Sequence, residues 1–426
     1  MNPAEEKVIT SASKLEVPHE EPPEMEGDDF LTAVYGESTD EIDSFIGSAT
    51  RKSYSPWHHP VKQIVRDLQW SELAVKLLAE ERSESRRDVL RYFTLPGADL
   101  LDVRVLADAT RQFGTRIEYF GFDSGFDSGE DTDQERGAYF AAESALRQSG
   151  KITDQAFIAT DYLEDIAVNG TVAADRLKHR GVFDIINIDA CAHLAYVSEG
   201  RKSSIFNAVQ KLLAHQLKAD EPWLLFLTTR ANVDRLGAPA TVFQSAIHKN
   251  IEAHKDDFAS PFADCIGASL ATLATDMQGC WTTQNLQFLK LYLIGFGKYL
   301  LQFFHAQQNL PAKVELVSAF AYKVSGDEPD MLSFAFRVSP EGVRVNDGSA
   351  GGAQVIPKLE LTHALKLIRR ASRLWDLDQA IAADETLRRE AVEATKRLLA
   401  SANYDIDGWK EWLRTLPVRP MELSTL

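Results

Sequence analysis

Apolar and polar positions along this chain fall into short, mostly apolar runs that alternate with stretches of helical period. Five such runs stand in order, at about 90–95, 116–122, 156–160, 183–188 and 223–229. Each is rich in β-branched, aromatic or leucine side chains, closes at a turn and leads into a helix-like stretch. That pattern predicts an α/β fold: parallel strands joined by helices on both faces of one sheet. In such sheets ligands gather at the carboxyl ends of the strands. Three of the five ends carry an aspartate: Asp123, Asp161 and Asp189.

Past residue 235 the pattern changes. Residues 236–310 read as three consecutive helices, at 240–254, 261–277 and 283–307. Two β-rich runs, 313–324 and 331–338, then flank the polar turn Gly326-Asp327-Glu328-Pro329, which predicts an antiparallel hairpin added at one edge of the parallel sheet. Ahead of the first strand, an apolar stripe of Ile64, Leu68, Leu73, Leu77 and Leu78 predicts a helix over 61–81. The expected organisation is an acidic tail (1–50), a basic lead-in segment and helix (51–87), an α/β domain (88–340) with a helical insert (236–310), a Gly-rich linker (341–357) and a helical C-terminal region (358–426).

Charge alters this picture mainly at the N-terminus. Of a net charge of −17 over 426 residues, the first 50 carry thirteen Asp and Glu against two Lys, leaving −6 for the remainder. With Pro18, Pro22 and Pro23 and little sustained apolar pattern, that tail is expected to be largely disordered. It reads as a tether, an autoinhibitory strip or a solubilising extension. The mildly acidic remainder lacks the strong basic footprint of a stand-alone nucleic-acid binder, yet leaves room for an anionic substrate. Cys191, Cys265 and Cys280 are too widely spaced for a metal or disulfide framework, which suits a reducing cytoplasm. The most apolar helix is interrupted by Lys290, Gly295, Gly297, Lys298 and Gln302, so no membrane span is expected. The first residues lack the basic-then-apolar order of a signal peptide. A cytoplasmic protein is the expectation.

Five helix-separated strands closed by a hairpin resemble the class I S-adenosylmethionine-dependent methyltransferases, over roughly 88–340. The resemblance implies a Rossmann-like, doubly wound and mainly parallel sheet with an antiparallel terminal hairpin, and S-adenosylmethionine as cofactor. It also implies roles. Gly97 and Asp99, in Leu95-Pro96-Gly97-Ala98-Asp99, take the loop under the cofactor; Asp123 takes the ribose hydroxyls; Asp161, in Thr160-Asp161-Tyr162, takes the adenine. Asp189-Ala190-Cys191-Ala192 faces the substrate. Each role has a physical basis. A glycine lets backbone approach a ligand, and a carboxylate accepts both ribose hydroxyl hydrogens. The interval from Gly97 to Asp123 is near the ~20 residues found between loop and acidic residue in nucleotide-binding βαβ units. The long helix and strand pair after the fifth strand, together with the single-glycine first loop, are similar to the tRNA guanine-N2-dimethyltransferase group.

Two departures from the family pattern bear on the chemistry. The loop keeps Gly97 where the family usually has three glycines. Ala190 and Cys191 stand where amino-group methyltransferases place a Pro and an aromatic residue. Asp189 and His193 are then the catalytic candidates, with Tyr196 as a stacking ring. His58, His59, Lys62 and Arg66, flanked by Tyr54 and Trp57, read as a basic patch facing substrate phosphates or as a cap on the domain edge. The His58-His59 pair has no partners at metal-ligand spacing. Cys191 reads as a small buried hydrophobe. Two functions remain open. One is a methyltransferase acting on nucleic acid or a nucleotide-like substrate. The other is a catalytically inactive subunit of the same fold, binding or scaffolding protein partners through its acidic tail or helical C-terminal region, for instance in a bacterial multi-protein antiviral defence system.

Overall fold

The computed structural model describes residues 50–80, 88–123, 132–307, 311–341 and 359–416. The tail expected to be disordered, up to residue 49, and residues 342–357 of the expected linker lie outside these residues. Arg51–Leu426 forms one compact unit.

Eight strands make a single, mostly parallel sheet. They are β1 (Val89–Thr94), β2 (Arg116–Phe122), β3 (Phe157–Ala159), β4 (Ile185–Asp189), β5 (Trp223–Arg230), β6 (Ala312–Tyr322), β7 (Met331–Pro340) and β8 (Trp375–Asp376). Their order is β3-β2-β1-β4-β5-β7-β6-β8. The first five pair in parallel, as five runs joined by helices require. β7 then lies antiparallel on β5, from Trp223 opposite Val338 to Arg230 opposite Met331, and β6 lies antiparallel on β7 with a bulge between Leu316 and Ser318. β8 pairs in parallel with β6, at Phe320 and Ala321, so the hairpin is flanked on both sides. A two-residue strand inside a polar, helix-like sequence has no period to betray it.

Both faces of the sheet are covered. Against one pack α1 (Pro60–Val65), a π-helical turn (Arg66–Ser71), α2 (Glu72–Glu80), α3 (Leu101–Thr110) and α4 (Thr132–Gln148). α5 (Val172–Lys178), α6 (Ile205–His215), α7 (Gly237–His254), α8 (Asp256–Ile266), α9 (Leu273–Cys280), α10 (Leu286–His305) and α11 (Leu359–Ala371) cover the other. The C-terminal α12 (Leu377–Ala383), α13 (Glu385–Ser401) and α14 (Ile406–Thr415) join the first group. Strand residues alternate between the two cores: Tyr92, Leu224 and Phe226 face one, Phe93, Leu225 and Leu227 the other. A sheet buried on both faces explains why its strands read as nearly continuous apolar runs.

Two helix expectations are corrected. The stretch expected as one helix over 261–277 is broken at Gly267, which takes the left-handed conformation (φ 71°) that ends α8 and costs glycine little. The helix expected over 61–81 changes pitch in its middle through the π-helical turn. That turn brings Gln69 to the sheet, where its Nε2 donates to Ser318 Oγ at 3.2 Å and its Oε1 accepts from Ser333 Oγ at 2.8 Å.

Candidate functional site

The strand order reverses between β1 and β4, since β2 and β3 continue one way and β5 the other. The loops leaving β1 and β4 therefore diverge, and such a switch point is where open α/β sheets hold ligands. Asp189 closes β4 there. Lys62 reaches it from α1, donating Nζ to Asp189 Oδ1 at 2.5 Å, with Tyr322 Oη at 3.5 Å and the Trp70 ring centroid at 4.9 Å. Lys62 is 4% exposed, whereas the Asp189 side chain is 24% exposed. Burial pulls the Lys62 pKa below its ordinary value; Asp189 opposes that fall and Arg66 adds to it.

Local structure explains why two cations point inward together. His59 Nδ1 accepts from Val61 N at 3.1 Å and caps α1, with Pro60 at its first position. Lys62 and Arg66 then stand four residues apart on one helical face. Arg66 is buried, its Nε lacks a hydrogen-bond partner, and Asp189 and Asp102 oppose the downward pull of burial on its pKa. Asp102, from α3, accepts from Tyr92 Oη at 2.9 Å and Thr94 Oγ1 at 2.5 Å, and Asn187 Nδ2 donates to the same Tyr92 hydroxyl at 2.8 Å. Burial raises the Asp102 pKa.

The loop after β1 lies close to β2. A Cβ on Gly121 would meet Pro96 Cδ at 2.8 Å, so the strand needs glycine where the loop passes; a Cβ on Gly97 would meet nothing within 4 Å. Asp99 does not face this space. It is ion-paired with Arg51 and accepts from Tyr404 Oη at 2.5 Å. Asp123 is half-buried just past β2, its N–H donating to Ala159 O at 3.0 Å. Asp161 is held by Arg176 Nη1 at 2.5 Å.

The four residues read as a basic patch, His58, His59, Lys62 and Arg66, are all buried, so they form no open phosphate-facing patch. His58 Nδ1 accepts from Ser55 N at 3.0 Å and its carbonyl accepts from Trp409 Nε1 at 3.0 Å. His58 and His59 thus build the chain reversal that aims Lys62 and Arg66 at Asp189. His193 is half-buried and Tyr196 exposed, their ring centroids 6.5 Å apart and edge-on. Cys191 is exposed, contrary to its reading as a buried hydrophobe. The residues that the sequence reading missed are Asp102 and Tyr404. Asp102 carries a weak signal, a carboxylate in the first turn of the helix after the loop; Tyr404 lies some three hundred residues from its partner and carries none.

Among the described residues no group of three or more His, Cys, Asp or Glu is placed to hold a metal ion, and no helix is long and apolar enough to cross a membrane. Compared with known families, the chain belongs to the PP_RS20740-like family, whose model matches residues 51–414. None of the curated proteins compared with it matches.

Proposed function

We propose that this member of the PP_RS20740-like family is an S-adenosylmethionine-dependent methyltransferase acting on a nucleic acid or nucleotide-like acceptor. The observation that carries the reading is the pairing of buried Lys62 with Asp189 at the carboxyl end of β4, beside the point where the strand order reverses. Supporting it is the position of antiparallel β7 between β5 and β6, which extends the parallel strands as the resemblance implies.

The residues fit the cofactor in part. Gly97, with open space at its Cβ position, and Asp123, at the end of β2, are the ones to hold it. Asp99 and Asp161 are engaged by Arg51, Tyr404 and Arg176 instead. When bound, the cofactor supplies an electrophilic methyl group. The Lys62 ammonium donates to Asp189 Oδ1 and fixes that carboxylate at the end of β4. The partly exposed Asp189 carboxylate is open to a hydrogen bond from the acceptor. Arg66 and Asp102 keep the buried charges around the pair in balance.

Titration calorimetry with S-adenosylmethionine tests the reading. The parent is expected to bind, and Asp123→Ala to bind at least tenfold more weakly, since one charge-assisted hydrogen bond contributes about 1.5–3 kcal/mol. Lys62→Met and Asp189→Asn are expected to keep cofactor affinity and lose methyl transfer. A folded parent that binds no cofactor overturns the proposal. One observation favours a second reading, a non-catalytic subunit of the same fold: basic or hydroxyl partners from the chain itself already hold Asp99 and Asp161. Failure of cofactor binding selects it.

A further inference from the structure

The carboxyl ends of β4 and β5 hold a second group of polar side chains that the chemistry above does not use. Arg230 closes β5. Its backbone N donates to Ala192 O at 3.1 Å, and Thr229 Oγ1 donates to the same carbonyl at 3.0 Å, so the loop leaving β4 is stitched to the end of β5. From the other side, Gly237 at the start of α7 (φ 55°) sits so close that a Cβ there would meet Ala195 Cβ at 2.6 Å. The far end of the loop is tied by Ser198 Oγ donating to Glu164 Oε1 at 2.6 Å and by Arg201 Nη1 donating to Asp165 Oδ2 at 2.8 Å. His193 and Tyr196 thus ride on a pinned ledge, and Tyr196 is 44% exposed.

Arg230 Nε and His193 Nδ1 are both buried without a hydrogen-bond partner. Arg235 stands two residues before Gly237, which lies against Ala195, and Arg230 is bonded through its backbone to Ala192, so both flank the loop that carries His193; burial, then Arg235 and Arg230, push the His193 pKa down. Among the described residues neither guanidinium is in an ion pair. The loop that carries His193 leaves β4 directly after Asp189, so the group adjoins the proposed reaction centre. A phosphate offers several acceptor oxygens to forked guanidinium donors, and an exposed phenol ring is a stacking platform for a base.

We propose that His193, Arg230 and Arg235 form a subsite for a phosphate of a single-stranded nucleic acid, with Tyr196 stacking on an adjoining base. The assignment rests on the proposed acceptor side of the site and names the acceptor class. It is tested separately from the cofactor. A short fluorescein-labelled single-stranded RNA and its DNA counterpart are titrated by anisotropy at several salt concentrations, with inorganic pyrophosphate and a phosphorylated peptide as competitors.

The parent is expected to bind at least one strand. Arg230→Gln and Arg235→Gln are each expected to weaken binding about tenfold and to lower the salt slope by about one. Arg230→Lys, which keeps the charge without the fork, restores part of the loss. Tyr196→Ala weakens strand binding and leaves pyrophosphate competition for the remainder intact. Arg235 is exposed, so its variant decides the matter should Arg230→Gln fail to fold. A parent that binds neither strand, a phosphopeptide that binds in preference to both, or Arg235→Gln binding like the parent overturns the proposal. Arginine-dependent strand binding without S-adenosylmethionine binding keeps this subsite and removes the methyltransferase reading.

Discussion

Lys62 and Asp189 form a pair with one partner deeply buried, and such a pair is destabilising chiefly when halved. Asp189→Asn leaves a buried ammonium without its carboxylate, and a cost of about 3–5 kcal/mol is expected from comparable sites. Adding Lys62→Met to that variant removes the stranded charge, so the double variant should recover most of the loss in urea denaturation. His58 titrates in a way that separates folded from unfolded chain. Burial, then Arg66 and Arg51, hold its pKa at about 3 against an ordinary 6.5. Between those two values the unfolded chain binds the extra proton. The neutral ring's contribution is therefore full above about pH 6.5 and drains away as pH falls toward 3. At 1.36 kcal/mol per pKa unit, lowering the pH to 5 costs roughly 2 kcal/mol. His58→Gln is expected to lose less melting temperature than the parent between pH 7 and 5; an equal loss in the two proteins would refute the assignment.

At the scale of elements, one charged cluster ties α11 to its neighbours. Glu360 accepts from Asn250 Nδ2 at 3.1 Å, lies 3.1 Å from His254 Nε2, and is ion-paired with Lys298 of α10. Lys298 is fully buried. Glu360→Ala strands that ammonium, and a loss of about 3–5 kcal/mol is expected in urea denaturation. Lys298→Met in the same background should restore most of it. The helices themselves were legible where apolar period and length agreed, as in α10. They were misread where one residue's conformation decided, as at Gly267, or where helical pitch changed without a change of composition, as from Arg66 to Ser71. The first five strands were legible because burial on both faces writes an apolar run. β8 was not, because two residues carry no period.

In the whole molecule the two ends of the described chain close on one another. Arg51 N donates to Asn403 O at 3.0 Å, Asp405 N donates to Arg51 O at 2.9 Å, and Trp409, fully buried, donates Nε1 to the His58 carbonyl at 3.0 Å. This clasp carries the turn that leads to Lys62, and its Arg51 and Tyr404 hold the Asp99 side chain. Trp409→Ala is expected to cost about 3–5 kcal/mol, the range for truncating a buried aromatic residue. Amide exchange should accelerate over 51–65 as well as over α14. Faster exchange confined to α14 would show that the clasp is not cooperative.

By itself, the sequence determined that strands alternate with helices, that the five apolar runs are the buried strands, and that carboxylates stand at three strand ends. These features are written by local period and turn chemistry, which act over a few residues. Only the tertiary structure decided which cations meet those carboxylates. Arg51 and Tyr404 reach Asp99, Lys62 reaches Asp189 and Arg176 reaches Asp161 through chain reversals and helix packing. Such partners are selected by three-dimensional proximity and by the cost of burying an unpaired charge, and for Arg51, Lys62 and Tyr404 sequence spacing records neither.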